Sequence, residues 1–357
     1  MKDIKRSSMI KKLLKQIVGI DVAQKELVVS LGRMDEEAIT TVYAYKKFVN
    51  NEKGFVALVL WVKKQTTEAF PLRYVMEATG VYHESLAYFL SNKGYLVSIV
   101  MSNKITNFFK TLEIKTVTDK SMSEAIAMFG LEKKLDNWVQ PKKVFRELRQ
   151  LTRERDQLIV ERTMLKNQLH AEEVEAYPSV KTIKRIKDRI KMANEQGDEI
   201  MAEIKQTIKI DVELKHDVAL INTIPGIGVL TSAIIMAETN GFELIRNAAQ
   251  LASYAGFDVK EKESGTSVKG KSKISKRGNR HLRKAMHMPA LAAIRHSERY
   301  KAIFIRIVAR NGIKMKATVA VQRKLLEMAY TIYSTKKPYD NEYLQSQQTE
   351  SELQEVV

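Results

Sequence analysis

Hydrophobic and polar positions change period twice along the chain. Over the first hundred residues the apolar positions come in short runs. Ile17-Val-Gly-Ile-Asp21-Val, Leu27-Val-Val-Ser-Leu31 and Thr40-Thr-Val-Tyr-Ala44 are rich in β-branched residues and lie at hairpin spacing, which predicts three strands. A helix-like stretch follows from Glu52 to Lys64, then a strand from Arg73 to Glu77. A helix from His83 to Ser91, a strand from Tyr95 to Val100 and a helix near Asn103 to Thr111 complete the region. Three hairpin-spaced strands followed by alternating helix and strand predict an α/β domain with a mixed sheet.

From Leu148 the period becomes seven. Leu151, Leu158, Leu165 and Leu169 form one seam, with Arg155 and Arg162 at its alternate core positions. Pro178 interrupts, and a second seam runs through Ile183, Ile186, Ile190, Ala193, Ile200 and Ile204. Two helices of this length would each be roughly 40 Å long and read as an antiparallel hairpin or a dimerisation arm. Beyond them the chain is mostly helical with a glycine- and lysine-rich interruption, and Arg295 to Tyr333 reads as one or two amphipathic helices. The expected organisation is an α/β domain over 1–140, a coiled-coil helical arm over 141–211, a mainly helical C-terminal domain over 212–335 and a disordered acidic tail over 336–357.

Composition narrows the function. The 357 residues are 44% hydrophobic, enough for a sizeable core. The longest apolar run, Phe55 to Val62, falls far short of the roughly 20 residues that span a bilayer. Met1 to Gln16 lacks the charged-then-apolar order of a secretory leader. Cysteine is absent, which excludes disulfides, thiolate metal sites and cysteine nucleophiles. The expectation is a soluble cytoplasmic protein with no membrane partner. The net charge of +18 suits a polyanion, and it is locally dense: Lys260 to Lys284 holds ten Lys or Arg against two Glu.

Three sets of residues carry candidate chemistry. Asp21 interrupts an apolar strand, Glu77 ends another, and Asp119 precedes a helix. A carboxylate in an apolar strand is costly unless paired or bound to a cation. Converging carboxylates favour a hard ion such as magnesium, which assists phosphoryl transfer. The blander alternative is that Asp119 caps its helix and Asp21 makes a local hydrogen bond. Ile224-Pro-Gly226-Ile-Gly228 resembles a helix-hairpin-helix turn, where glycines let backbone amides approach phosphate; an ordinary tight turn is the other reading. Ser264, or Ser267 close by, sits ahead of a cationic run formed by Lys269, Lys271, Lys273, Lys276, Arg277, Arg280 and Arg283, with the neutral Asn279 within it as a further candidate for binding nucleic acid. An activated serine there can attack a phosphodiester held by guanidinium groups, although most serines in basic loops only contact phosphate.

Taken in order, Val18-Gly-Ile-Asp21-Val, Met76-Glu77-Ala-Thr-Gly80 and Lys115-Thr-Val-Thr-Asp119-Lys120 resemble the N-terminal domain of DEDD transposases, the Piv-like, bridge-RNA-guided insertion-sequence recombinases. Ile224 to Gly228, Leu251 to Gly256 and Ile274 to Arg283 resemble that family's C-terminal domain, so the likeness runs over roughly residues 16 to 300. The resemblance implies a RuvC-like, ribonuclease-H-type fold, with magnesium held by Asp21, Glu77 and Asp119. It also implies a serine nucleophile, matched here by Ser264, and double-stranded DNA with a noncoding guide RNA as partners. Homodimeric or homotetrameric assembly and a nucleoid-associated location follow from the same likeness. The family's fourth acid, three residues after the third, is Met122 in this chain. A thioether is a poor magnesium ligand, and Ser123, on the same helical face as Asp119, is a candidate to hold a metal-bound water instead. A metal-dependent junction nuclease and a non-catalytic nucleic-acid scaffold are the rival readings.

Overall fold

The computed structural model describes residues 12–340 except 68, 69, 79, 113, 115, 244, 261, 262, 265–267 and 270–272. They fall into two compact units, Met1–Gln140 and Pro141–Val357.

In the first unit three long strands, β1 (Leu13–Val22), β2 (Glu26–Asp35) and β3 (Thr40–Val49), precede α1 (Glu52–Gln65), β4 (Leu72–Glu77), α2 (Glu84–Asn92), β5 (Leu96–Val100), α3 (Ser102–Phe109) and α4 (Asp119–Glu132). The sheet order is β3-β2-β1-β4-β5. β1, β2 and β3 pair antiparallel, whereas β4 and β5 join β1 in parallel, so the sheet is mixed as the strand spacing predicts. The central position of β1 explains its unbroken burial from Gln16 to Ile20, because both faces are covered. Val18 and Ile20 face α1 and α2 in one apolar layer, with Tyr74 and Met76 of β4. Ile17 and Val75 face α3 and α4 in the other. β3 lies at the edge and keeps Lys46 and Lys47 in solvent, which discourages pairing with another strand.

The second unit begins with α5 (Lys143–Val174) and α6 (Val180–Ile210), an antiparallel pair. Arg162 donates to Asn194 at 2.9 Å, and Lys187 pairs with Glu173 at 2.9 Å. At the root of the pair Phe145, Leu148, Leu151, Ile200, Ile204 and Ile208 enter a common core. Farther out, Leu158, Leu165 and Leu169 are only half-buried. There follow α7 (Val212–Ile221), α8 (Val229–Thr239), α9 (Ala248–Tyr254), the two-residue strands β6 (Val259–Lys260), β7 (Glu263–Ser264), β8 (Val268–Lys269) and β9 (Lys273–Ile274), and then α10 (Arg280–Ala285), α11 (His287–His296), α12 (Glu298–Asn311) and α13 (Lys314–Thr335). β6 pairs with β9 and β7 with β8. The expected acidic tail does not start at 336. Lys336 pairs with buried Asp217, and the Tyr339 amide donates to Thr223 Oγ1 at 2.7 Å, so 336–340 belong to the folded unit; 341–357 lie outside the described residues. Among the described residues no helix is long and apolar enough to cross a membrane.

Candidate active site

The first unit brings its three candidate carboxylates together by register. Side chains alternate along a strand, so Asp21 shares the α4-facing side of β1 with Ile17 and Gly19. The parallel register pairs Ile20 with Met76, which sets Asp21 beside Glu77 at the carboxyl ends of neighbouring strands. α4 runs back along β1: Gly130 packs on Ile17, and Gly19 lies under Ser123 and Ala127. Its first turn, which carries Asp119, therefore reaches the strand end that carries Asp21. A β-carbon on Gly19 would stand 2.3 Å from the Ala127 amide nitrogen, so glycine is required for this close approach.

Thr118 is the N-cap of α4. It accepts from the Ser121 amide, while the Ser121 hydroxyl accepts from the Thr118 amide. Capping thus falls to Thr118, and Asp119 is the first helical residue, exposed to solvent. The electrostatic consequence appears at Asp21. Burial, the charge of Asp119 and the charge of Glu77 push its carboxyl up to about 6, against a smaller opposing effect of the Val22 amide. Asp21 thus feels the charge of both other carboxylates, although among the described residues no three acidic or histidine side chains stand close enough to cage an ion.

The fourth position departs from expectation. Met122 packs against the apolar layer that contains Ile17, Val75 and Ile126. Ser123 does not serve as a water-holding substitute. It is fully buried; its hydroxyl donates to the Lys120 carbonyl at 2.8 Å and shares a 2.7 Å hydrogen bond with Ser30 of β2. Its face of α4 is the sheet-packing face, which helical spacing alone does not reveal. Glu124 pairs with Lys120 at 3.8 Å, and the Lys120 ammonium sits 4.5 Å from the Tyr45 ring centroid.

In the second unit β7 and β8 form a short hairpin, in register Glu263 with Lys269 and Ser264 with Val268. Ser264 thus lies in β7, paired with Val268 of β8. Ser267 and Lys271 lie outside the described residues. Residues 275–279 are stitched to 254–258. Ser275 donates to Asp258 at 2.7 Å, the Lys276 amide donates to the Gly256 carbonyl, and the Asn279 amide donates to the Tyr254 carbonyl. Gly278, at φ +154°, passes so close to Tyr254 that a β-carbon would stand 2.4 Å from its carbonyl oxygen.

This stitching divides the expected phosphate-binding residues. Lys273, Lys276, Arg277 and Arg280 present exposed side chains. Asn279 is committed within the fold: its Oδ1 accepts from the His281 and Leu282 amides, and its Nδ2 donates to Glu238 at 2.6 Å. Arg283 donates through Nη1 to the Ala255 carbonyl at 2.6 Å. Gly226, at φ +85°, backs onto α11, where a β-carbon would stand 2.4 Å from the Pro289 carbonyl oxygen. Its lack of a side chain is required by helix packing. Gly228 caps α8 with open space around its α-carbon.

Sequence reasoning missed the centre of this arrangement. Glu238 is buried in apolar α8, receives two hydrogen bonds from Arg153 of α5 at 2.8 and 2.9 Å, and a third from Asn279. Burial pushes its carboxyl up, but these donors outweigh burial and hold it below the ordinary range. Burial also holds the neighbouring His281 below its ordinary value, against the pull of Glu238. Beside them a cavity of about 230 Å³ is lined by Arg155, Asp156, His281 and Lys284, the last paired with Asp156. The one sequence signal was a glutamate in an otherwise apolar helix.

Two family models match the chain: DEDD_Tnp_IS110, a transposase family, over residues 18–178, and the transposase IS116/IS110/IS902 family over residues 218–304. The pilin gene-inverting protein of Moraxella bovis is 32% identical over 301 residues, covering 82% of this chain and 89% of that protein. The chain belongs to the IS110/IS116 family of transposases. A second pilin gene-inverting protein, from Moraxella lacunata, is 31% identical over 335 residues, covering 91% of this transposase and 98% of the relative. The transposase for insertion sequence element IS1111A of Coxiella burnetii is 25% identical over 148 residues, 40% of each chain. Among solved structures, Thermus thermophilus RuvC is 11% identical, with a TM-score of 0.28, covering 35% of the transposase and all of that chain. Membership places the protein among DNA recombinases.

Proposed function

We propose that this transposase cleaves and exchanges DNA strands for an insertion element through a serine nucleophile. The Ser264 oxygen attacks the scissile phosphorus and a P–O bond to deoxyribose breaks. The Ser264 proton leaves, the sugar oxygen departs as a hydroxyl, and a phosphoserine linkage remains that a second strand's hydroxyl can reverse. Lys276, Arg277 and Arg280 hold flanking phosphates. Asp21, Glu77 and Asp119 would be the hard oxygen donors for magnesium, drawn closer by the ion itself; burial first, and then repulsion by Asp119 and Glu77, already raise the Asp21 carboxyl. When bound, that ion neutralises this repulsion and supplies charge stabilisation to the scissile phosphate. The exposed basic residues also suit a noncoding guide RNA, and the α5–α6 pair suits assembly into a dimer or tetramer.

The single observation that carries the reading is the convergence of Asp21, Glu77 and Asp119. The test is covalent trapping with magnesium, guide RNA and labelled junction DNA on a denaturing gel. A protein–DNA adduct is expected from the native chain and absent from Ser264→Ala, which keeps its DNA binding. Cleaved DNA with no adduct would mean that water attacks instead. Full strand exchange by Ser264→Ala would remove the serine assignment.

A further inference from the structure

The elbow between α12 and α13 shares no residue with the carboxylate site or the basic loop. Tyr300, Ile303 and Phe304 turn one face of α12 onto the core. The opposite face carries Lys301, Ile305, Arg306 and Arg310, all exposed. Gly312, left-handed at φ +69°, closes α12 and turns the chain into α13, whose start, Ile313 to Lys316, is exposed as well. From Arg295 to Lys316 seven Lys or Arg stand against one acid, Glu298. Glu298 is engaged by Lys301 at 3.1 Å, and Arg299 lies against the Tyr300 and Tyr339 rings. Among the described residues no acid pairs with Arg306, Arg310, Lys314 or Lys316.

These four cations destabilise the isolated chain. Arg306 and Arg310 repel across one helical turn, and Lys314 and Lys316 stand in the first turn of α13, where the helix dipole disfavours positive charge. Elsewhere in the same unit cations are matched, as Lys284 is by Asp156 and Arg323 by Glu327. A bound polyanion offsets both penalties. Ile305, Ile313 and Met315, each more than half exposed, interleave with the cations. Apolar side chains set among Lys and Arg suit the groove of a duplex, where they meet sugar edges and opened base steps. A second copy of the chain fits poorly, because a self-complementary contact would press two such cation groups together. An anionic membrane also fits poorly, because the apolar residues are isolated side chains on two helices and not one continuous apolar face.

We infer that the α12–α13 elbow is a second surface for duplex DNA, distinct from the basic loop. Arg306, Arg310, Lys314 and Lys316 meet phosphates, and Ile305, Ile313 and Met315 lie against the groove between them. The inference rests on the proposed recombination only for the choice of DNA as the polyanion; no part of it requires Ser264 or a metal.

The test is fluorescence anisotropy of the full chain with a labelled blunt DNA duplex over a range of salt, without magnesium. Replacing Arg306, Arg310, Lys314 and Lys316 together with alanine, a strong helix former, keeps both helices. The slope of log affinity against log salt should fall by about 3. Ile313→Ser with Met315→Gln gives α13 a favoured cap, and should weaken binding about fivefold at an unchanged slope. A variant that also lacks Lys276, Arg277 and Arg280 should lose the two slope contributions in sum. An unchanged slope in the alanine variant would overturn the inference, as would a loss on RNA duplex with DNA unaffected. So would a loss confined to anionic vesicles, or a changed sedimentation coefficient with DNA binding intact. Absence of a covalent adduct in the trapping assay would remove the serine reading and leave these slopes standing.

Discussion

Asp21→Asn should make the apo protein more stable at pH 8 while removing its response to magnesium. Asp21 is raised from 3.8 to about 6 by burial, Asp119 and Glu77, in that order. At about 1.4 kcal/mol per pH unit the full displacement corresponds to roughly 3 kcal/mol. The group is only half-buried, and screening reduces the usable part to about 1–2 kcal/mol. A carboxyl raised in the folded state binds its proton more tightly there than in the unfolded chain. Stability is therefore fully present below pH 4, falls as the pH rises towards 6, and stays reduced above it. Asparagine keeps an acceptor for the Val22 amide and has no charge to bury, so the pH-dependent loss should disappear. For a unit of this size the gain is about 5 °C in the melting transition. The assay is calorimetry of the full chain at pH 4.5 and pH 8, with and without magnesium. The native protein should melt lower at pH 8 and recover on adding magnesium, since a ligand that binds only the folded state stabilises it. The variant should show neither change. Equal melting of native and variant chains at pH 8 would refute the electrostatic reasoning, and an undiminished magnesium response would refute the ligand assignment.

Two further outcomes follow from the packing and from the basic loop. Gly19→Ala forces α4 away from β1, because the added carbon meets backbone atoms that cannot rotate aside; a loss of about 3 kcal/mol in denaturant titration is expected, and a change below about 0.5 kcal/mol would contradict the close approach. Replacing Lys276, Arg277 and Arg280 together with alanine should lower the slope of log affinity for duplex DNA against log salt by about 2–3, and an unchanged slope would mean that these exposed cations do not meet phosphate.

What was legible in the sequence is what alternation and chain order determine. The apolar runs locate the strands, their spacing separates the hairpin-linked part from the parallel part, and strand register then carries Asp21 to Glu77. What stayed hidden depends on partners distant in the chain. Arg153 and Asn279 meet Glu238 across 85 and 41 residues, and no spacing rule reports such a meeting. The same holds for Gly226. Its place in a Pro-Gly turn suggests phosphate, yet the carbonyl that demands glycine belongs to Pro289, far along the chain. Ser123 illustrates the limit most sharply: helical geometry sets it on the face of Asp119, and only the sheet beneath shows that this face is occupied by Ser30.

That occupied face also explains how the chain keeps three repelling carboxylates at one strand end. Glycines at 19, 32 and 130 let α4 lie directly on the sheet, where a β-carbon at Gly130 would stand 2.8 Å from Ile17 and one at Gly32 would stand 3.0 Å from Leu131. The Ser30–Ser123 hydrogen bond fixes the position of the helix across β2, and the Thr118–Ser121 capping box fixes where it begins. Position and starting point together set Asp119 near the strand end that carries Asp21. Dispersion and hydrogen bonding in the body of the helix thus offset electrostatic repulsion at its tip. By this reasoning, loosening the glycine contacts should let Asp119 retreat, bring Asp21 back towards its ordinary pKa, and lower magnesium affinity even where every carboxylate is intact.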